Sequence, residues 1–374
     1  MPPLLPLNPT DRHFLQQAFA YAHADGTPTA PNPRVGCLIV AANGTIISQT
    51  VSAPAGGPHA EVIALDQAGS AAAGATVYVT LEPCDHYGRT PPCTTRLHAA
   101  NVARVVYALS DDNPLAGGGA ATLQANGIAI AGPLAATDPL FDAISSDLHG
   151  FITVVAAHRP QITLKLAQDP DGNTKPGQTA YLTGAKARRS VHRMRALTDA
   201  VLVGAGTVTA DDPQLNVRDT GSSMRVGSRA TYQPRAVVLD RRLQSPPDAA
   251  VFRNGTILIT TDDHDPARLV AYRNRGVNVR QLQATGDDVD DVTNALNTLA
   301  QEGINQVFAE PGLTLAQTLV DAHVVDRLVL HVAGFASTAT FTPCVPLDDF
   351  RLHASGRFDT TDFQFTFVPN RKNP

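Results

Sequence analysis

A chain of 374 residues that is 43% hydrophobic and 17% charged can bury more than one apolar core, and that balance excludes a disordered or fibrous protein. A formal charge of -5 with a single short arginine cluster argues against a nucleic-acid partner, because binding phosphates calls for a basic stripe or domain. No uninterrupted apolar run reaches the roughly 18 residues of a membrane span, and MPPLLPLNPTDRHF has no basic segment ahead of its apolar residues, so a cytoplasmic address with no membrane partner is expected.

In chain order, residues 11–24 place Phe14, Leu15, Ala18, Phe19 and Ala22 at three- and four-residue spacing, which predicts an amphipathic helix with Thr10 as its N-cap. Two apolar runs around Asn43-Gly44 predict a β-hairpin, with Cys37 buried in it as an inert thiol. A helix over 59–69, a strand over 75–83, a helix at TTRLHAANV, a strand at ARVVYALSD and a helix closed by Gly127 before another strand follow. Strands alternating with helices predict an α/β layered domain, its sheet largely parallel after the hairpin, running to about residue 150. Beyond it the pattern repeats: a strand over 160–168, the polar loop DPDGNTKPGQT, the helix AKARRSVHRMRAL, then strands at DAVLVGAGTV, RAVVLD, GTILITT and INQVFAEPG, with helices at DDVTNALNTLAQEG and LTLAQTLVDAHVV. Residues 217–234 are polar and Gly/Ser-rich and read as a long surface loop. Two α/β domains in series, 1–150 and 151–374, are the expected architecture.

The four cysteines are too few for a disulfide scaffold, and in a reducing compartment Cys84 and Cys93 remain thiols. Together with His59 they offer three donors, the number a catalytic zinc takes from protein while leaving its fourth position to water. Such a water loses its proton near neutral pH, and Glu61, two residues after His59, is placed to shuttle that proton to a leaving amine. His-x-Glu followed by Pro-Cys is the pattern of zinc-dependent nucleobase deaminases. Either half alone would be a chance match, but here they come in order, at a helix start and a strand end. The eight residues between Cys84 and Cys93 depart from the usual two.

PNPRVGCLIV, PHAEVIAL, VTLEPCDHYGRTPPC and VARVVYALSDDNP closely resemble the bifunctional riboflavin biosynthesis deaminase-reductases. The resemblance implies a cytidine-deaminase-like α/β/α layered fold for the first domain and zinc held by His59, Cys84 and Cys93, with Glu61 as catalytic proton shuttle. It implies deamination of 2,5-diamino-6-ribosylamino-4(3H)-pyrimidinone 5′-phosphate, a small phosphorylated pyrimidine, with Asn32 at the substrate. His86 and Arg89 in the long spacer match the substrate's phosphate in charge, and a solvated loop is the competing reading for both. For Asn32 the competing reading is a structural turn.

ITLKLA, ARRSVHRMRALTDAVLVGAGTVTADDPQLNVR and FAEPGLTLAQTLVDAHVVDRL extend the resemblance over nearly the whole chain. They imply a dihydrofolate-reductase-like α/β domain that uses NADPH to reduce the ribosyl group to ribityl. Backbone amides at a helix start suit phosphates, and Gly312 and the Gly204-Ala205-Gly206-Thr207 turn are candidates for that work. Arg188 and Arg195 are expected on one helix face and Arg189 with Arg193 on another. The family places substrate contacts at Thr179, Arg195, Leu215, Arg218 and Glu310, and cofactor contacts at Ala167, Tyr181, Thr207, Asp211, Gly312, Leu313 and Thr314. The chain departs from the family at Asp169-Pro170, at Tyr181 in place of a tryptophan, and at Pro311, which has no N–H to offer a phosphate. These departures motivate a rival reading, a single-function zinc deaminase with a degenerate second domain. A non-catalytic zinc or nucleotide-binding protein is the alternative of another class, and Glu61 speaks against it, since a structural zinc needs no proton shuttle. The resemblance also suggests a homo-oligomer.

Overall fold

The computed structural model describes residues 4–26, 28–87, 91–175, 181–218, 232–335, 340–359 and 362–370. By its contacts the chain forms two compact units, one up to Ala156 and one from Ala157.

The first unit opens with helix α1 (Pro9–Asp25), whose N-cap is Asn8 and not the expected Thr10. Asn8 accepts from the Asp11 N–H at 2.9 Å while Asp11 accepts from the Asn8 N–H at 3.0 Å, a reciprocal box that leaves Pro9 at the first helical position, where its missing donor costs nothing. The hairpin β1 (Gly36–Val40) and β2 (Ile46–Val51) forms as expected, and Cys37 is fully buried. Helix α2 (Ala60–Ala68), strand β3 (Thr76–Leu81), helix α3 (Cys93–Ala99), strand β4 (Arg104–Leu109), helix α4 (Gly119–Ala125) and strand β5 (Ala129–Ala131) complete a sheet of order β2-β1-β3-β4-β5. β1 pairs antiparallel with β2 and β3, and the remaining pairs are parallel. Residue 150 lies inside helix α5 (Pro139–Ala157). By length and hydropathy alone α5 resembles a membrane span, but Leu140, Ile144 and Leu148 belong to the first unit's core.

The second unit runs through β6 (Gln161–Gln168), α6 (Ala185–Ala196), β7 (Ala200–Gly204), α7 (Ala205–Asp211), β8 (Arg235–Leu239), β9 (Ile257–Thr261), α8 (Arg268–Asn274), β10 (Asn278–Leu282), α9 (Asp288–Gln301), β11 (Gln306–Ala309), α10 (Leu313–Asp321) and β12 (Val325–Val332). It ends in an antiparallel ribbon of β13 (Phe350–Arg357) and β14 (Phe363–Pro369), which the sequence reading does not anticipate. The sheet order is β10-β9-β8-β7-β11-β6-β12-β14-β13, parallel from β10 through β12. Alternate residues of β7 enter different cores, Ala200 and Leu202 on one face and Val201 and Val203 on the other, which is why this strand is a continuous apolar run. The expected helix LTLAQTLVDAHVV stops at Asp321; His323 turns left-handed at φ 52°, and Val325 begins β12. Of the expected loop 217–234, residues 219–231 lie outside the described residues.

Candidate active sites

The three metal-type donors come from three elements of the first unit. His59 is the N-cap of α2, extended at φ −71° and ψ 160°, and its side chain makes no capping hydrogen bond to the helix. Cys84 follows the end of β3, and Cys93 is the first residue of α3. His59 Nδ1 lies 3.5 Å from Cys84 Sγ and 3.3 Å from Cys93 Sγ, and the ligand atoms all fall within 4.8 Å of one another. Neighbouring side chains fix this arrangement. Asp85 accepts from Thr94 Oγ1 and Thr122 Oγ1, both at 2.6 Å, tying the Cys84 segment to α3 and α4. Glu82 accepts from the N–H groups of Ala120 and Asp111 at 2.9 and 3.2 Å. A Cβ on Gly119 would run into the carbonyl oxygen of Pro83, so α4 can start against the Cys84 loop only at a glycine. Sequence reasoning missed Glu82, Asp85 and Gly119, because their role lies in contacts between segments distant in the chain.

Glu61, in the first turn of α2, is 4% exposed. Burial raises its carboxyl pKa, partly offset by the charge of His59. His59 is raised in turn, first by its hydrogen bond with Cys84. Cys84 is lowered to about 4, first by the hydrogen bond with Cys93 and, against burial, by His59. Cys93 is pushed up as its counterpart, first by the same bond and then by burial. An imidazole and two sulfurs, one of them readily a thiolate, suit a zinc ion, and three such ligands leave one position free. A cavity of about 360 Å³ adjoins them, lined by His59, Glu61 and Cys84 together with Asn32, Glu82, His86, Asp111 and Asn113. His86 Nδ1 is buried there with no hydrogen-bond partner. Arg89 lies outside the described residues.

The second unit has a cavity of about 300 Å³ at the carboxyl ends of β7, β8, β9, β10 and β11, the place where open parallel sheets bind ligands. Two turns face each other across it. A Cβ on Gly204 would meet Leu315 Cδ2 at 3.1 Å and one on Gly312 would meet Thr207 Oγ1 at 3.8 Å. Both glycines are N-caps without a side-chain cap, so the amides at the starts of α7 and α10 are available to an anion. This suits a dinucleotide's phosphates. Of the expected cofactor residues, Thr207, Gly312, Leu313 and Thr314 line the cavity, whereas Ala167, Tyr181 and Asp211 do not. Ala167 is on β6, Asp211 ends α7, and Tyr181 is 62% exposed with the Arg188 guanidinium 4.3 Å above its ring. Pro311 is buried outside the lining, so the donor it lacks is not one the cavity would use.

A second polar cluster gathers several expected substrate residues. Arg195 Nε donates to Glu310 at 2.6 Å and its Nη1 to the Asn216 carbonyl at 3.0 Å, while the Arg218 N–H donates to His192 Nδ1 at 3.4 Å. Leu215 sits between them with its side chain in the core and φ 52°, so any contact it makes with a ligand is through its backbone. Lys165 on β6 was not singled out from sequence; burial lowers its pKa, and Glu310 and Arg195 act on it with opposite signs. Thr179 lies outside the described residues. Arg188 donates to the Thr183 carbonyl at 2.7 Å, so it and Arg195 serve different partners.

Residues 8–109 match the family model for the cytidine and deoxycytidylate deaminase zinc-binding region, and residues 160–336 match that for the RibD C-terminal domain. The riboflavin biosynthesis protein RibD of Mycobacterium tuberculosis is 38% identical over 307 residues, 82% of this chain and 79% of that protein. RibD of Escherichia coli is 36% identical over 335 residues, 86% of this chain and 87% of that one. Among solved structures, Acinetobacter baumannii RibD superposes with a TM-score of 0.81 at 34% identity, over 96% of this chain and 99% of its own. A Thermotoga maritima diaminohydroxyphosphoribosylaminopyrimidine deaminase/5-amino-6-(5-phosphoribosylamino)uracil reductase gives 0.75 at 29% identity, with 96% and 99% covered. Because the identity runs through both units and does not stop at the metal-binding region, the chain belongs to the RibD family of riboflavin biosynthesis proteins.

Proposed function

We infer that the chain is a bifunctional riboflavin biosynthesis enzyme. Its first unit hydrolytically deaminates 2,5-diamino-6-ribosylamino-4(3H)-pyrimidinone 5′-phosphate, and its second uses NADPH to reduce the ribosyl chain, giving 5-amino-6-ribitylaminouracil 5′-phosphate. The observation that carries this reading is the cluster of His59, Cys84 and Cys93 beside a cavity that His59, Cys84 and the buried Glu61 line. Held by His59, Cys84 and Cys93, a zinc ion would supply Lewis-acid activation of water. Glu61 would take up a water proton on its carboxylate and release it to the departing amine, so that a C–O bond replaces the C–N bond and ammonia leaves. Its raised pKa suits a group that must both accept and donate near neutral pH. Asn32 and His86 line the same cavity and are assigned to substrate.

In the second unit, the facing turns at Gly204 and Gly312 would hold the dinucleotide's phosphates, and NADPH would supply the hydride for the sugar carbon. Arg195 is committed to Glu310 and Asn216, so the exposed Arg218 is the better placed of the two arginines to meet the substrate's phosphate. Two of the departures from the family pattern are accommodated, and the third, Tyr181, lies outside the cavity. Asp169 accepts from the N–H groups of Asp171 and Asn173, each at 2.9 Å, and closes an ordered turn, and Pro311 stands clear of the cofactor cavity.

Two measurements test this. Glu61→Gln is expected to retain about one zinc per chain while deamination falls by about 10²–10⁴-fold; a variant that deaminates at the unaltered rate removes Glu61 from the mechanism. NADPH oxidation on supplying the deaminated product is expected under the same conditions, and its absence while deamination proceeds would leave the single-function enzyme.

A further inference from the structure

The strand order orients a dinucleotide in the second unit's cavity. The polar cluster of Lys165, Arg195 and Glu310 stands on the β6 and β11 side, so the nicotinamide end points there, and the adenosine end runs toward β8, β9 and β10. At that end Leu239, Ile259, Leu282, Val292 and Ala295 make an apolar slot fit for a purine. Arg241 is the only cation among the described residues lining the cavity, and it does not stand free. Its Nη1 pairs closely with Asp288 and lies 3.4 Å from Asp291.

These carboxylates differ in how firmly they are held. Asp288 is 68% exposed on the first turn of α9, whose capping is done by Asp287 through the Val289 and Asp290 N–H groups, so Asp288 can leave without undoing the helix start. Asp291 is 7% exposed; one oxygen accepts from the Thr285 N–H and hydroxyl, and the other is buried with no hydrogen bond. Asp240 plays no part, since it accepts from the N–H groups of Gln244 and Ser245.

We propose that Arg241, Asp288 and Asp291 read the 2′ position of the adenosine ribose, with Asp288 competing against a 2′-phosphate for Arg241 and so weakening the preference for the phosphorylated dinucleotide. This rests on the reductase reading above. A 2′-phosphate offers Arg241 a stronger, forked partner than an exposed carboxylate does, and displaces Asp288 on binding. Without the phosphate, Arg241 stays with Asp288 and Asp291, and the Asp291 oxygen it faces at 3.4 Å, which has no hydrogen bond of its own, accepts from the ribose hydroxyl. The two dinucleotides therefore use different members of the trio, and Asp288 acts only against the phosphorylated one.

The test is calorimetric titration of the full chain with NADPH, NADH and 2′,5′-ADP. Asp288→Asn is expected to tighten NADPH and 2′,5′-ADP by about three- to tenfold while NADH changes by less than about threefold. Arg241→Gln is expected to weaken NADPH and 2′,5′-ADP by about tenfold or more, and NADH much less. Arg241 meets the fold through its backbone carbonyl, which accepts from Thr260 and Thr261, so trimming its side chain spares those bonds. If both dinucleotides bind and neither substitution alters their affinity ratio, the proposal is overturned alone. If the unaltered chain binds neither dinucleotide, the reductase reading falls and takes the proposal with it.

Discussion

Arg104 reaches the fully buried Asp11 through two hydrogen bonds of 2.6 and 2.8 Å, and the Tyr78 hydroxyl adds a third at 3.3 Å. Burial alone would raise the Asp11 carboxyl, but Arg104, the Asn8 amide and Tyr78 outweigh it and hold its pKa below the ordinary 3.8. A lowered carboxylate pKa contributes its full stability above the unfolded value and loses it as pH falls through the folded one. Arg104→Met strands the buried carboxylate, so at neutral pH it should cost about 3–5 kcal/mol in chemical denaturation. The gap from the unaltered chain should narrow as pH falls toward and then below 3.8, because the stranded carboxyl of the variant takes up its proton above that value and Asp11 of the unaltered chain below it. A gap independent of pH would place the effect in packing and not in charge. Sequence marks His59, Cys84 and Cys93 as a cluster because their chemical identity, order and spacing suffice. It marks Asp11, Arg241 and Lys165 poorly, since a charged residue looks alike on a helix start or loop whether it is solvated or sealed under a neighbour.

At the level of elements, the site depends on how closely α4 approaches the loop after β3. Gly119→Ala would push α4 off the Pro83 carbonyl and strain the Asp85 bonds to Thr94 and Thr122, displacing Cys84 with them. Zinc affinity, measured by competition with a chromophoric chelator, should weaken about 10- to 100-fold, as happens when the support of a metal ligand is lost. Unchanged affinity would show that the Cys84 loop is held without α4. Periodicity reveals most of the helices and most of the buried strands, because those elements repeat their apolar residues on one face or throughout, but α5 and the buried β12 are not among the predicted elements. It does not reveal β13, whose residues after Phe350 are all exposed, so FRLHASGR carries no alternation to read. Nor does it reveal that α1 begins at Pro9, which depends on the reciprocal bonds of Asn8 and Asp11.

Over the whole molecule, each unit has its own apolar core, and the two proposed chemistries draw on separate groups: the proposed metal donors lie in the first, the proposed dinucleotide cavity in the second. Removing zinc with a chelator should therefore abolish deamination while NADPH oxidation with the deaminated product stays within about twofold. A parallel loss of both would show that the second unit needs the metal. The serial α/β plan is legible because both halves repeat the βα pattern, whereas the sheet order is not, since β11 returns between β7 and β6 through contacts that no local pattern encodes. The scattered origin of the zinc donors has a kinetic consequence. His59, Cys84 and Cys93 can share an ion only after β3 has zipped between β1 and β4 and α3 has docked, so in a refolding chain metal capture reports the closing of the first sheet. A stopped-flow zinc dye would then clock assembly of this unit, independently of the second.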